Sequence, residues 1–266
     1  MSFLDETCLL TELLLPLPTF REVPRAAQLP LAELTGSLCS AAASAAADSP
    51  EAEQAWKLLL LHHRLLLWAP AATRAAGRAR RRAQQELVLD RLGRAVRGDW
   101  EGLLEEAQAE ATAARTRRAG AAASTGLAGK ALAGEVIRRV SLGDLGRAAQ
   151  LLGQAKVAAP SPEVRDELQS LLVTLAAERG LLPTDHSSDE EVPARDLATA
   201  LRKAPRSSGA GPSGSRFTHW QACQLSASSM AALGQVVNRV AAGRVPTEAA
   251  AALALTCLTP LRKKNG

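Results

Sequence analysis

Asp48-Ser49-Pro50-Glu51-Ala52-Glu53-Gln54-Ala55-Trp56-Lys57-Leu58-Leu59-Leu60-Leu61-His62-His63-Arg64-Leu65-Leu66-Leu67-Trp68-Ala69-Pro70 is the stretch that decides the fold class. Ser49 or Asp48 can cap a helix, and Pro50 suits the first helical position. Trp56, Leu59, Leu60, His63, Leu66 and Leu67 recur at spacings of three and four, which predicts a helix over 51–68 with a buried face. Pro70 ends it. The composition of the 266 residues agrees: aromatics are 3%, Tyr is absent, and the 47% hydrophobic content is mostly Ala and Leu, the best helix formers. A strand-rich fold draws on aromatic and β-branched residues instead. An all-β fold, collagen, a disulfide scaffold and a disordered acidic chain are therefore excluded. The expected fold is mainly α, and the length allows one or two domains with a real core.

Working outward, residues 1–48 form a Leu/Pro/Ala-rich segment in which Pro16, Pro18, Pro24 and Pro30 forbid one long helix, so short helical pieces and extended links are expected. A helical region is assigned to 49–182. Within it, Leu89, Leu92 and Val96 form one stripe closed by Gly98, and Trp100, Leu103, Leu104 and Ala107 form the next. Residues 130–182 read as three amphipathic segments with short connections, a bundle pattern. The acidic stretch 183–193 lies between two prolines and is assigned as a linker. Residues 194–266 make the last segment, with helices near 194–203, 226–242 and 247–255. No repeat of fixed period is present.

The runs Leu9–Leu17 and Leu58–Leu67 are broken by Thr11, Glu12 and Pro16 and by His62, His63 and Arg64, so neither reaches the roughly 18–20 apolar residues of a spanning helix. The expectation is a protein without a membrane span. Cys8, Cys39, Cys223 and Cys257 are widely spaced and include no CxxC pair, which fits free thiols in a reducing, intracellular compartment. No metalloprotease, phosphate-loop or nucleophile-elbow motif occurs. His62 and His63 are adjacent, point about 100° apart on a helix and cannot chelate one metal as an i, i+4 pair would; a plain core role is the expectation. His186 among Asp185, Asp189, Glu190 and Glu191 reads as a solvated linker. No catalytic residue, metal ligand, cofactor or small-molecule substrate is assigned.

The net charge is +5, and its distribution carries the functional reading. Arg74, Arg78, Arg80, Arg81 and Arg82 sit together without an acidic residue, a field suited to phosphates or simply a solvated face. Further on, Arg202, Lys203, Arg206 and Arg216 flank the loop 204–214, where three Gly and two Pro in eleven residues forbid regular structure. Its Gly209, Gly211, Pro212 and Gly214 allow a close approach of backbone to phosphate. Phe217 and Trp220 follow; anchoring to the core is favoured over base stacking for both.

Leu201-Arg202-Lys203-Ala204-Pro205-Arg206-Ser207-Ser208-Gly209-Ala210-Gly211-Pro212-Ser213-Gly214-Ser215-Arg216-Phe217-Thr218-His219-Trp220 resembles the opening of the fingers in reverse transcriptases of non-LTR retrotransposons. The family's next features, a helix, a Gly-x-x-Pro turn and a strand ending in a basic Lys-Lys-x-Gly, resemble Gly243–Glu248 and Leu258–Gly266. The match covers about 70 residues, and the helical region upstream is similar in a less specific way. The resemblance implies an incomplete, α+β fingers segment after a helical bundle, with Lys263 or Lys264 at the basic end of the fingers strand, near template or incoming nucleotide, and Arg262 where the family often has Pro; all three join the nucleic-acid-binding candidates. In the family an Arg-Pro-Ile segment and the catalytic carboxylates follow, holding the Mg²⁺ ions; this chain ends before them. By resemblance it is a polymerase fragment without the palm, inactive alone, with Mg²⁺ expected only in a full-length enzyme and RNA or DNA as partner. A nuclear site would follow from the family's life cycle. Two further readings stay open: a helical interaction or scaffold protein, and a regulator that binds nucleic acid through the basic helix.

Overall fold

The computed structural model describes residues 8–15, 17–46, 49–70, 77–121, 191–205, 210–211 and 213–254, with Gly134 and Ile137. Among the described residues the protein is mainly helical and holds no strand; an isolated bridge joins Thr19 to Trp68. The helices are α1 (Leu9–Leu14), α2 (Arg25–Ser44), α3 (Pro50–Leu67), α4 (Gly77–Val96), α5 (Trp100–Ala121), α6 (Ala194–Lys203), α7 (Phe217–Trp220), α8 (Ala227–Ala241) and α9 (Thr247–Ala254), with a 3-10 turn at Gln221–Leu225 between α7 and α8.

The opening stretch forms α3. Ser49 Oγ accepts from the Ala52 amide at 3.1 Å, Pro50 begins the helix, and Glu51 and Glu53 complement the dipole of its first turn. It is not one-sided, however. Every residue from Leu59 to Trp68 is buried, and α1, α2, α4, α5 and α9 all pack around it. Over that stretch the helix has no solvent face, so its polar residues find internal partners. Lys57 Nζ pairs with Glu248 of α9 at 3.1 Å, and Glu248 also accepts from the Leu9 amide at 2.7 Å, tying α1, α3 and α9 at one point.

Two expectations are corrected here. The described residues 17–24, between α1 and α2, are non-helical as expected, but Pro30 does not shorten the next helix: α2 runs for 20 residues straight through it. Pro in a helix interior costs about 3 kcal/mol, but Ala27, Leu31, Ala32, Leu38, Cys39 and Ala42 are buried along this helix, and each fully buried leucine alone returns about 1.5–3 kcal/mol. Burial wins. The stripe of α4 is also rotated from Leu89, Leu92 and Val96. Val88, Arg91, Leu92 and Ala95 face the core, whereas Val96 is 73% exposed. The cause is Arg91, which lies 3.6 Å from the centroid of the Trp68 ring and donates to the Trp68 carbonyl at 2.7 Å. Stacking and hydrogen bonding let a cation occupy a core position.

The described residues within 1–125 and 188–256 form one compact unit, in which α8 packs on α2 and α9 on α1 and α3. α8 lies along α2, and a Cβ on Gly36 would stand 2.9 Å from the Ser229 Cα, so glycine sets this close crossing. At its far end Arg239 Nη1 donates to the carbonyls of Ala42, Ala43 and Ala45 at 2.7–3.0 Å, satisfying the open end of α2. The three segments expected in 130–182, most of the acidic linker and the strand near 255–262 lie outside the described residues.

Candidate functional site

The glycine-rich loop returns to the core as a fixed anchor. Gly214 has φ +73°, a conformation that favours glycine, and is buried. Its carbonyl accepts from Thr19 Oγ1 at 2.7 Å, and a Cβ there would stand 2.7 Å from Thr19 Cγ2. The next residue, Ser215, meets His63 Nδ1 at 3.0 Å. Then Thr218 Oγ1 donates to the Arg21 carbonyl at 2.7 Å and His219 Nε2 donates to the Phe20 carbonyl at 2.8 Å.

This seam gathers three of the four histidines. His62, His63 and His219 are all fully buried. The His62 and His63 rings lie 3.8 Å apart, His63 and His219 lie 5.3 Å apart, and Trp220 stands edge-on to His63 at 4.6 Å. Their partners fix the protonation of two of them. His62 Nδ1 donates to the Leu59 carbonyl at 2.6 Å, which leaves Nε2 to accept from Thr35 Oγ1 at 3.1 Å. His219 donates through Nε2 and accepts from the Arg216 amide at Nδ1. Both rings are neutral and have both nitrogens engaged. Burial pushes each down to about 4 and pushes His63 well below its ordinary value. Neutral, hydrogen-bonded rings of this kind act as structural pins. Among the described residues no group of three or more His, Cys, Asp or Glu side chains is placed to hold a metal ion. Cys39 and Cys223 are buried and their thiols pushed up to about 12 and 11 by burial, which denies them thiolate reactivity at neutral pH.

The residues singled out in the sequence fall into distinct places. Arg80, Arg81 and Arg82 are exposed on the early turns of α4, with Arg82 paired to Glu86 at 2.8 Å. Arg78 belongs to the same helix, but its side chain lies outside the described residues. Arg202 and Lys203 are exposed on the last turn of α6, which Gln221 Nε2 holds by donating to the Leu201 carbonyl at 2.6 Å. Arg216 is half-buried, and burial together with the nearby Arg21 charge lowers its pKa. Gly211 is exposed, whereas Gly214 serves packing and not an approach to phosphate. Of the two aromatics Trp220 is anchored, but Phe217 is 46% exposed. Arg206, Gly209, Pro212, Arg262, Lys263 and Lys264 lie outside the described residues.

Two elements that carry basic residues, α4 and the stretch 216–220, are hydrogen-bonded to the same short segment, Phe20–Glu22. On one side Gln84 of α4 donates to the Glu22 carbonyl at 3.3 Å; on the other Thr218 and His219 hold Arg21 and Phe20. Arg80 and Arg81 precede the first contact, and Arg216 and Phe217 precede the second. The sequence reading missed this seam because it treated the histidines by their separation on one helix; the signal available was a His-Trp pair directly after a glycine-rich loop. In comparisons with known proteins, no family model, no curated protein and no solved structure matches the chain.

Proposed function

We propose that this chain is a non-catalytic module that binds single-stranded nucleic acid through a basic surface, related to the opening of the fingers of a retrotransposon-type RNA-directed DNA polymerase. The observation that supports it most is that two basic elements are bonded to one segment, Phe20–Glu22: Gln84, one turn beyond Arg80 and Arg81 on α4, donates to the Glu22 carbonyl, and Thr218, just after Arg216 and Phe217, donates to the Arg21 carbonyl, with the Arg21 charge close enough to lower the pKa of Arg216. Cations on a rigid, hydrogen-bonded frame attract phosphates without needing to be ordered first, and the energy of such contacts comes largely from counterion release. The exposed Phe217 adds an aromatic face of the kind on which bases stack. The polymerase kinship rests on the resemblance of Leu201–Trp220 and is tested separately.

Binding of labelled single-stranded RNA and DNA is measured by anisotropy over a range of salt, with the triple variant Arg80→Glu, Arg81→Glu, Arg82→Glu. The expected result is steep weakening with salt. The triple variant should lower the magnitude of the log–log slope by about 2, since each phosphate contact on a single strand contributes about 0.7. Equal affinity and slope in the variant would remove the basic helix from the reading. Primer extension with Mg²⁺ is expected to give no product; incorporation by this chain would overturn the non-catalytic assignment.

A further inference from the structure

α6 is a short helix with one apolar edge. Leu197 and Leu201 are four residues apart and so share a face. Leu201 is buried, and Leu197 packs half-buried against the core. Ala194, Arg195, Asp196, Ala200, Arg202 and Lys203 are exposed. The polar side chains stay within the helix: Arg195 pairs with Asp196 at 3.6 Å, Arg202 Nη2 donates to Thr199 Oγ1 at 3.0 Å, and Thr199 Oγ1 donates to the Arg195 carbonyl at 2.8 Å. The helix has ten residues, fewer than the roughly 12–15 below which an isolated helix is marginal in water. Its order therefore comes from its seat.

That seat is α8 and the 3-10 turn Gln221–Leu225. Three amide side chains hold the helix there. Asn238 Oδ1 of α8 accepts from the Val192 amide at 2.8 Å, just before the helix begins. Gln224 Nε2 donates to the Ala198 carbonyl at 3.3 Å, and Gln221 Nε2 donates to the Leu201 carbonyl at 2.6 Å. The Leu201 carbonyl belongs to the last turn, where carbonyls have no partner inside the helix. All three bonds go to main-chain atoms, which any helix offers. Among the described residues no side chain of α6 makes a hydrogen bond or ion pair with another element. The identity of the seated helix is thus read only through its leucine pair, the pattern of an amphipathic helix lying in a groove.

The ends of α6 are also separable from the fold. Pro193 (ψ 139°) and Ala204 (ψ 135°) bound it with extended backbone, and Pro205 follows, so the helix neither begins earlier nor runs on. α8, by contrast, buries Ser229, Ala232, Leu233, Gly234 and Val236. An element with one buried side chain and much exposed backbone opens at lower free energy than a core helix.

We infer that α6 is a detachable strap over a helix-binding groove. It opens as a unit while α2, α3 and α8 stay folded, and the groove beneath it is a receptor for an amphipathic helix with leucines four residues apart. In the closed state α6 is the occupant. Because it is tethered, its effective concentration is high, and a competing helix binds weakly until the strap is released. This goes beyond nucleic-acid binding and does not depend on Arg80–Arg82.

Hydrogen–deuterium exchange of the full chain tests the strap, and a labelled peptide of residues 192–204 tests the groove. In wild type the α6 amides are expected to exchange about tenfold or more faster than those of α8. Leu201→Asp should abolish protection over 194–203 and leave α8 and the thermal midpoint unchanged. Gln221→Ala, which removes one bond and no apolar contact of the leucine pair, should speed exchange of α6 about two- to tenfold without affecting α8. The peptide should bind the Leu201→Asp chain saturably and wild type about tenfold or more weakly, since its groove is filled. The same peptide with Asp in place of both leucines should not bind. Exchange of α6 at the rate of α8 overturns the strap. So does a lowered midpoint in Leu201→Asp together with equal acceleration of α6 and α8 in Gln221→Ala. A Leu201→Asp chain that stays folded and does not bind the peptide, or binds its Asp version equally, overturns the groove. None of these readouts moves with the Arg80–Arg82 variant, so failure here leaves the nucleic-acid reading standing, and failure there leaves this one.

Discussion

Lowering the pH from 7.5 to 5 should destabilise this fold before its carboxylates begin to protonate. His62 and His219 sit at about 4 in the folded chain because burial disfavours their charged forms, and each has a lone pair already engaged as acceptor. In the unfolded chain both return to about 6.5. Below pH 6.5 the unfolded state takes up protons that the folded state refuses, so stability is full above that value and is lost as the pH falls toward the folded pKa. At pH 5 the loss is about 2 kcal/mol per histidine, from 1.36 kcal/mol per pKa unit over the part of the shift already crossed. The two rings belong to one cluster, so the sum of about 4 kcal/mol is an upper figure; it is still a large share of the roughly 5–15 kcal/mol of a typical domain. His63 acts in the same direction. The surrounding charges, Arg64 and Arg216, stay cationic through this range. Asp99, whose carboxyl Arg94 holds below its ordinary 3.8, gives up its contribution only at lower pH. The assay is urea denaturation at pH 7.5, 6.5, 5.5 and 5, in wild type and in His219→Gln. The glutamine can still donate to the Phe20 carbonyl but does not titrate, so the variant should lose roughly half of the pH dependence. A wild-type stability that is flat from pH 7.5 to 5, or an unchanged slope in His219→Gln, refutes the neutral, buried assignment.

Three further substitutions test the packing. Gly36→Ala gains about 1 kcal/mol of helix propensity but drives a Cβ to 2.9 Å from the Ser229 backbone; a net loss of about 1–2 kcal/mol is expected by thermal unfolding, and an unchanged midpoint contradicts the close α2–α8 crossing. Gly214→Ala meets both a positive φ and Thr19 at 2.7 Å, and should cost about 2 kcal/mol; full stability would mean that the loop is not pinned there. Pro30→Ala restores an amide to the interior of α2 and should stabilise by about 1–3 kcal/mol, since the proline is exposed; destabilisation would mean that Pro30 contributes contacts of its own.

The helical class was legible because α3 carries its own start, stop and apolar spacing between Ser49 and Pro70. What periodicity could not convey was how much of that helix is enclosed. His62 and His63 have the core role that the sequence predicts, but that they and Arg64 are the internal bonding points of a central helix depends on partners far away in the chain. Arg91 misled in the same way: a cation inside a stripe reads as the solvent side unless its stacking partner, Trp68, is known, and the two are 23 positions apart. Pro30 exceeded its local rule because the cost is fixed while the return depends on how much of α2 is buried. The basic residues are visible one by one in the sequence, but the bonding of α4 and of the 216–220 stretch to one segment is not. It depends on Phe20–Glu22, an unremarkable segment in the sequence that works by offering three backbone carbonyls to Gln84, Thr218 and His219. The same bonds explain why Gly214 looked like a phosphate-approach residue: both roles need a glycine, and only the contact with Thr19 tells them apart.

Hydrogen–deuterium exchange of the full chain, with and without saturating single-stranded RNA at low salt, tests the central claim most directly. The account predicts added protection over 77–84, 20–22 and 215–218, where Arg80–Arg82, Arg21 and Arg216 would meet phosphates, and none that depends on the buried 59–63 stretch. No binding, or protection confined to regions away from these three, would contradict it.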